Sequence, residues 1–172
     1  TLAATDHILR ETNKYSRDHD QEFAVLFVDL DRFKDINDAY GHMVGDQLLV
    51  AAANTIHTTL REGDVLGRFG GDEFTILLRD SNADRASAIT ERLLHGFQLP
   101  MVIGARQLQI TPSVGIAVYP DHGTDIETLI KHADTAMYEA KRTGGGGFSV
   151  YAEEQGLRVH QRLQIEHQLR DA

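Results

Sequence analysis

The feature that most restricts this chain is the run Arg68-Phe69-Gly70-Gly71-Asp72-Glu73-Phe74, which sits between the apolar segments Val65-Leu66 and Phe74-Thr75-Ile76-Leu77-Leu78. Two short apolar runs separated by a glycine pair read as strands joined by a tight turn. The turn lifts Asp72 and Glu73 to a hairpin tip. Glycines at Gly70 and Gly71 permit positive φ and let a bulky ligand approach without a Cβ, while adjacent carboxylates offer hard oxygens to a divalent cation. That pairing points to nucleotide chemistry. The plain alternative is a surface hairpin with solvated acids, and the rest of the chain decides between the two.

Phe23 to Val28 is an unbroken apolar run too short for a helix, so it reads as a central strand buried on both faces. Asp29 follows at its C-terminal end, where a carboxylate can escape burial and hold a cation. Asp31 reads as the N-cap of the next helix. An EF-hand over Asp29 to Asp38 fails, because Phe33 and Lys34 occupy the positions that need Asp or Asn and then Gly. Gly41 to Asp46 reads as a turn into a helix that Asp46 caps, with Leu48, Leu49, Ala52, Ala53, Ile56 and Leu60 on its apolar side.

Further helices are expected over Leu2 to Asp20, over Asn82 to Phe97 and over Ile126 to Arg142, the last opened by a Thr124/Glu127 capping box. Met101 to Ile103 and Leu108 to Val118 bracket a hairpin, Thr111 to Ala117 reads as packing, and Phe148 to Tyr151 as a closing strand. This order gives an α+β fold: a mostly antiparallel sheet flanked by helices, with an extra hairpin.

Composition removes several function classes. A formal charge of −9 argues against a nucleic-acid surface, which needs clustered Lys and Arg. A small triphosphate remains admissible if divalent metals and a few lysines neutralise it locally. The chain has no cysteine, hence no disulfide or thiolate metal site, which fits a cytoplasmic domain. Nine histidines show no HExxH spacing, and neither a Walker A motif nor GxGxxG occurs.

Gly70 to Phe74 spells the signature of the GGDEF family, the diguanylate cyclases, and further motifs resembling that family follow in order from about Phe23 to Tyr151. The resemblance implies a nucleotide-cyclase or polymerase-palm-like (ferredoxin-like) fold and the joining of two GTP molecules into cyclic di-GMP. It implies metal binding by Asp29, the Leu30 carbonyl, Asp72 and Glu73, with two Mg2+ or Mn2+ ions per site. GTP binding is carried over to Phe33, Lys34, Asn37, His42, Asp46, Gly70, Gly71 and Lys141, with Asn37 and Asp46 on guanine. Lys34 joins Asp72 and Glu73 as catalytic, Asp72 orienting or accepting the proton. Arg61 and Asp64 match a product-inhibition motif for cyclic di-GMP, to which Arg92 could add; a surface ion pair is the bland reading.

One domain has one GTP pocket, so the resemblance also implies that two copies face each other as a homodimer. The chain departs from the pattern at Gly145, where most active relatives carry arginine. Losing one charged phosphate contact costs about 1.5–3 kcal/mol, roughly tenfold to a hundredfold in GTP affinity. The chain opens after the Leu-Thr-Gly-Leu segment such domains carry. Residues 1–151 are expected to form the GGDEF domain, and residues 152–172 to resemble the linker helix before an EAL phosphodiesterase domain. A weak or inactive GTP-binding regulatory module of a cyclic di-GMP phosphodiesterase therefore stands as the alternative to an active cyclase.

Overall fold

The apolar run from Phe23 becomes strand β1 (Phe23–Leu30), buried along nearly its whole length, in a computed structural model that describes residues 2–170, and side chains from Asp6 onward. Because successive side chains point to opposite faces, β1 splits into two sets. Ala24, Leu26, Val28 and Leu30 join one core cluster, and Phe23, Val25 and Phe27 the other. A strand with apolar side chains on both faces must be covered twice.

The first cover consists of α2 (Phe33–Tyr40), α3 (His42–His57) and α4 (Ala83–Gly96), which supply Phe33, Leu48, Leu49, Ala52, Ile56, Ile89 and Leu93. The second consists of α1 (Leu2–His19) and α5 (Ile126–Arg142), with Leu9, Leu129, Ala133 and Met137. The sheet runs β2-β3-β1-β6-β7, where β2 is Val65–Gly70, β3 Glu73–Arg79, β6 Pro112–Tyr119 and β7 Phe148–Val150. All pairings are antiparallel except β6 with β7. Strands β4 (Met101–Ile103) and β5 (Arg106–Leu108) form the separate hairpin. Helix α6 (Glu153–Arg170) contacts α5 and buries none of its own residues. No helix among the described residues is long and apolar enough to cross a membrane.

Gly115 sets how closely α5 lies on the sheet. A Cβ there would fall 1.8 Å from the Ala133 carbonyl oxygen and 2.2 Å from the Met137 nitrogen, so only glycine lets the helix axis come this near. The packing expected of this segment is what the structure has.

Four local expectations are corrected. Asp31 does not cap α2; Arg32, in the left-handed region, precedes the helix without a side-chain cap. Helix α3 already starts at His42, which makes Asp46 its fifth residue rather than its cap. Asp125 caps α5 by accepting from Thr128 N at 2.8 Å, a stronger acceptor than Thr124, and Glu127 instead pairs with Arg10 at 2.7 Å. Finally, Leu108 belongs to the small hairpin and the central strand starts at Pro112, so the segment read as one strand is two.

Candidate active site

The register of the sheet brings the acids together. Asp29 lies opposite Glu73 on β3 and opposite Ser113 on β6, and Leu30 N donates to the Asp72 carbonyl at 3.2 Å. At the hairpin tip only Gly71 takes positive φ (52°), since Gly70 is still strand. Arg68 Nε fastens the tip by donating to the Gly71 carbonyl at 2.9 Å.

Parity places Asp29 on the sheet face covered by α5, and from that helix Lys141 reaches it, Nζ to Oδ2 at 2.8 Å. The other oxygen, Oδ1, is buried and has no hydrogen-bond partner. Burial pushes the Asp29 carboxyl up to about 6, the adjacent Asp72 adds to the rise, and Lys141 opposes it. Glu73 is also raised, first by burial and then by the charges of Asp134 and Asp72. Asp134, on α5, is raised by burial alone.

Among the described residues no three His, Cys, Asp or Glu side chains are preassembled as an ion cage. The donor set nevertheless fits a hard divalent cation. A buried carboxylate oxygen without a partner beside two further raised or crowded acids is a site where added positive charge offsets desolvation and repulsion together.

The residues assigned to the base lie on α2 and α3. Asn37 Oδ1 is buried without a partner, and Gly45 makes room for it: a Cβ at Gly45 would fall 1.8 Å from that oxygen. Asp46 is the next residue along. Lys34, one turn before Asn37, is exposed together with His42 and Asp46, and none of these side chains makes a hydrogen bond or ion pair among the described residues. The Phe33 ring is committed to the core, which leaves its backbone as the part able to meet a ligand.

Arg61 and Asp64 are not near these acids. Asp64, its side chain 1% exposed, accepts from Arg61 N at 3.1 Å and Arg79 N at 3.3 Å, while the Arg61 guanidinium donates to the Arg79 carbonyl. Arg92 donates to Thr59 O at 3.0 Å close by. These groups staple the entry of β2 to the end of β3, at the edge of the sheet remote from Glu73.

Sequence reasoning missed three contributors, Thr111, Ser113 and Asp134. Two hydroxyls at the mouth of an otherwise apolar strand, and an acid two turns before Lys141 on α5, were the available signals.

A fold of this topology with acids meeting between a central strand and a Gly-Gly hairpin defines a GGDEF domain, and residues 3–146 match the family model described as "Diguanylate cyclase, GGDEF domain". The chain belongs to that family. It is 40% identical over 181 residues to the Escherichia coli cyclic di-GMP phosphodiesterase PdeR, covering 99% of this chain and 27% of PdeR. It is 42% identical over 141 residues to the Pseudomonas aeruginosa diguanylate cyclase TpbB, covering 80% of this chain and 31% of TpbB. The crystal structure of the TpbB GGDEF domain superposes with a TM-score of 0.83 at 38% identity, over 87% of this chain and 94% of that one. The chain thus spans about a quarter to a third of the length of these curated relatives.

Proposed function

We propose that the domain is a diguanylate cyclase that condenses two GTP molecules into cyclic di-GMP and two pyrophosphates. The observation that carries the reading is the buried, partnerless Oδ1 of Asp29 set against Asp72 and Glu73, with Lys141 alongside. Asp29, Glu73, Asp72 and the Leu30 carbonyl would hold two Mg2+ or Mn2+ ions. Bound there, such ions would lower the pKa of the attacking hydroxyl and take up charge on the leaving group.

Asn37 and Asp46 orient the guanine, whose adjacent N1 and N2 donors suit an amide oxygen and a carboxylate. Lys34 and Lys141 meet phosphate oxygens, and Gly70 and Gly71 let the phosphates approach the hairpin backbone. The ribose 3′-oxygen of one GTP attacks the α-phosphorus of the other, the bond to the β-phosphate breaks, pyrophosphate departs, and the hydroxyl proton passes to the Asp72 carboxylate. Each domain presents one GTP, so two copies must face each other for both bonds to form.

The test is incubation with GTP and Mg2+ followed by chromatography of the products. Absence of cyclic di-GMP at high protein concentration refutes the proposal. A second reading, a GTP-binding module that regulates a phosphodiesterase domain reached through residues 152–172, is favoured by Gly145. It predicts GTP binding without turnover and GTP-dependent hydrolysis of cyclic di-GMP by the full-length protein. In either reading Arg61 and Asp64 are the candidate contact for product, and loss of product inhibition in Arg61→Ala is the corresponding check.

A further inference from the structure

The two aspartates of Asp29-Leu30-Asp31 are used differently. Asp29 keeps one buried oxygen without a partner. Asp31 has both oxygens engaged. Its Oδ2 accepts from Thr111 Oγ1 at 2.9 Å and from Gly146 N at 2.8 Å, and its Oδ1 accepts from Ser113 Oγ at 2.7 Å and lies 3.8 Å from Lys141 Nζ. Its backbone joins the same clamp, with Asp31 N donating to the Thr111 carbonyl at 2.8 Å.

We propose that Asp31 is a positioning residue, holding Lys141 and the loop Gly144 to Gly147 in place for a nucleoside triphosphate rather than binding a cation itself. The inference rests on the cyclase reading above for the triphosphate. A carboxylate has about four lone-pair sites; three hydrogen bonds occupy three of them, and the Lys141 ammonium 3.8 Å away faces the same group. A cation at Asp31 would have to break that set, whereas Asp29 Oδ1 needs none broken.

Lys141 is a compact charge on a flexible stem. It is held from two sides, by Asp29 Oδ2 and by Asp31 Oδ1. Once Asp29 is engaged by a cation, Asp31 is the carboxylate left to keep the lysine beside the reacting phosphates. The loop after α5 depends on the same anchor. Gly146 has φ +67°, and a Cβ at Gly145 would fall 3.1 Å from Asp31 Oδ2, so the glycines wrap the carboxylate closely.

Asp31→Asn separates the two tasks. The amide keeps a carbonyl for Gly146 N and Thr111, and its NH2 can donate to the Ser113 hydroxyl, but the negative charge facing Lys141 is gone. GTP affinity measured by calorimetry with Mg2+ is expected to fall roughly tenfold, with a melting temperature close to that of the wild type. In a Lys141→Ala background Asp31→Asn should cost nothing further, since its effect passes through the lysine. Equal losses in both backgrounds, or an unchanged affinity, overturn the proposal while leaving the cyclase reading intact. A wild-type chain that binds no GTP overturns both. If Asp31→Asn does not fold, Ser113→Ala, which frees the Asp31 oxygen facing Lys141, serves: a loss of GTP affinity of about threefold or more that vanishes in the Lys141→Ala background supports the role, and an unchanged affinity or equal losses in both backgrounds refute it.

Discussion

Gly115→Ala tests how the fold delivers the site. The added methyl would sit 1.8 Å from the Ala133 carbonyl oxygen and 2.2 Å from the Met137 nitrogen, both backbone atoms of α5 that no rotamer change can move. Relieving the first contact to the ordinary 3.4 Å requires the helix and strand to separate by about 1.6 Å. Separation on that scale loosens the packing of Leu129, Ala133 and Met137 on β1 and β6 and draws Lys141 away from Asp29, now 2.8 Å distant. Overpacking a close contact costs typically 1–3 kcal/mol, and a clash with rigid backbone belongs at or above the top of that range. About 3 kcal/mol corresponds to a fall in melting temperature of roughly 6–12 °C for a domain of this size. Urea unfolding and thermal melts read the stability, and GTP binding below the transition reads the site. The expected result is a large loss of stability together with weakened nucleotide binding. A variant within about 0.5 kcal/mol of wild type would refute the claim that Gly115 fixes the helix-to-sheet distance.

Asp29→Asn should lower cyclic di-GMP formation by roughly a hundredfold or more, as cation-borne charge stabilisation is worth several kcal/mol, with folding preserved; turnover within tenfold of wild type would remove Asp29 from the metal site. His122 gives a pH dependence away from that site. Burial holds its imidazole below the usual 6.5, with His132 assisting and Asp121 opposing, while Nδ1 accepts from Val118 N at 2.9 Å. The native state therefore binds this proton less readily than the unfolded chain, so stability is full above 6.5 and declines as pH falls through the lowered value. His122→Asn should flatten that decline in melts between pH 7 and 5, and an unchanged slope would clear His122 of the effect. Gly145→Arg supplies the arginine that the family resemblance implied here, but at φ +73° and with its Cβ 3.1 Å from an Asp31 carboxylate oxygen. It should cost about 1–2 kcal/mol of stability and fail to raise product formation; a gain in activity would show that the loop accommodates the side chain.

What was legible in the sequence was local or periodic. The apolar run at Phe23, the stripe Ala86, Ile89, Leu93 and Phe97, and the helix Ile126–Arg142 all lie where their patterns put them. Asp29 was legible because an acid ending an apolar strand is conspicuous. Its position opposite Glu73 was not, since register is settled by which faces the helices cover. Asp31 was misread for the same reason. A helix follows at once and suggests a cap, whereas its actual partners are 80 residues away at Thr111, 82 at Ser113 and 115 at Gly146. At Thr124 and Asp125 two capping residues stand side by side, and nothing local ranks the backbone approach that selects the second.

The charge arrangement constrains how the proposed substrate can enter. Asp29, Asp72, Glu73 and Asp134 crowd one end of the sheet, and Lys141, the cation drawn in against Asp29, is already shared with Asp31. A triphosphate brings further negative charge to a place where Asp29 and Glu73 are already pushed towards protonation by burial and by neighbouring carboxylates. Lys34 alone cannot offset that. Nucleotide binding to this domain must therefore depend steeply on divalent cation, with metal and GTP each raising the other's affinity, because linkage between two ligands at one site is reciprocal. Titration of GTP with Mg2+ replaced by chelator should show affinity falling by at least about a hundredfold, and GTP binding that ignores the chelator would mean that the acids at the hairpin do not face the phosphates.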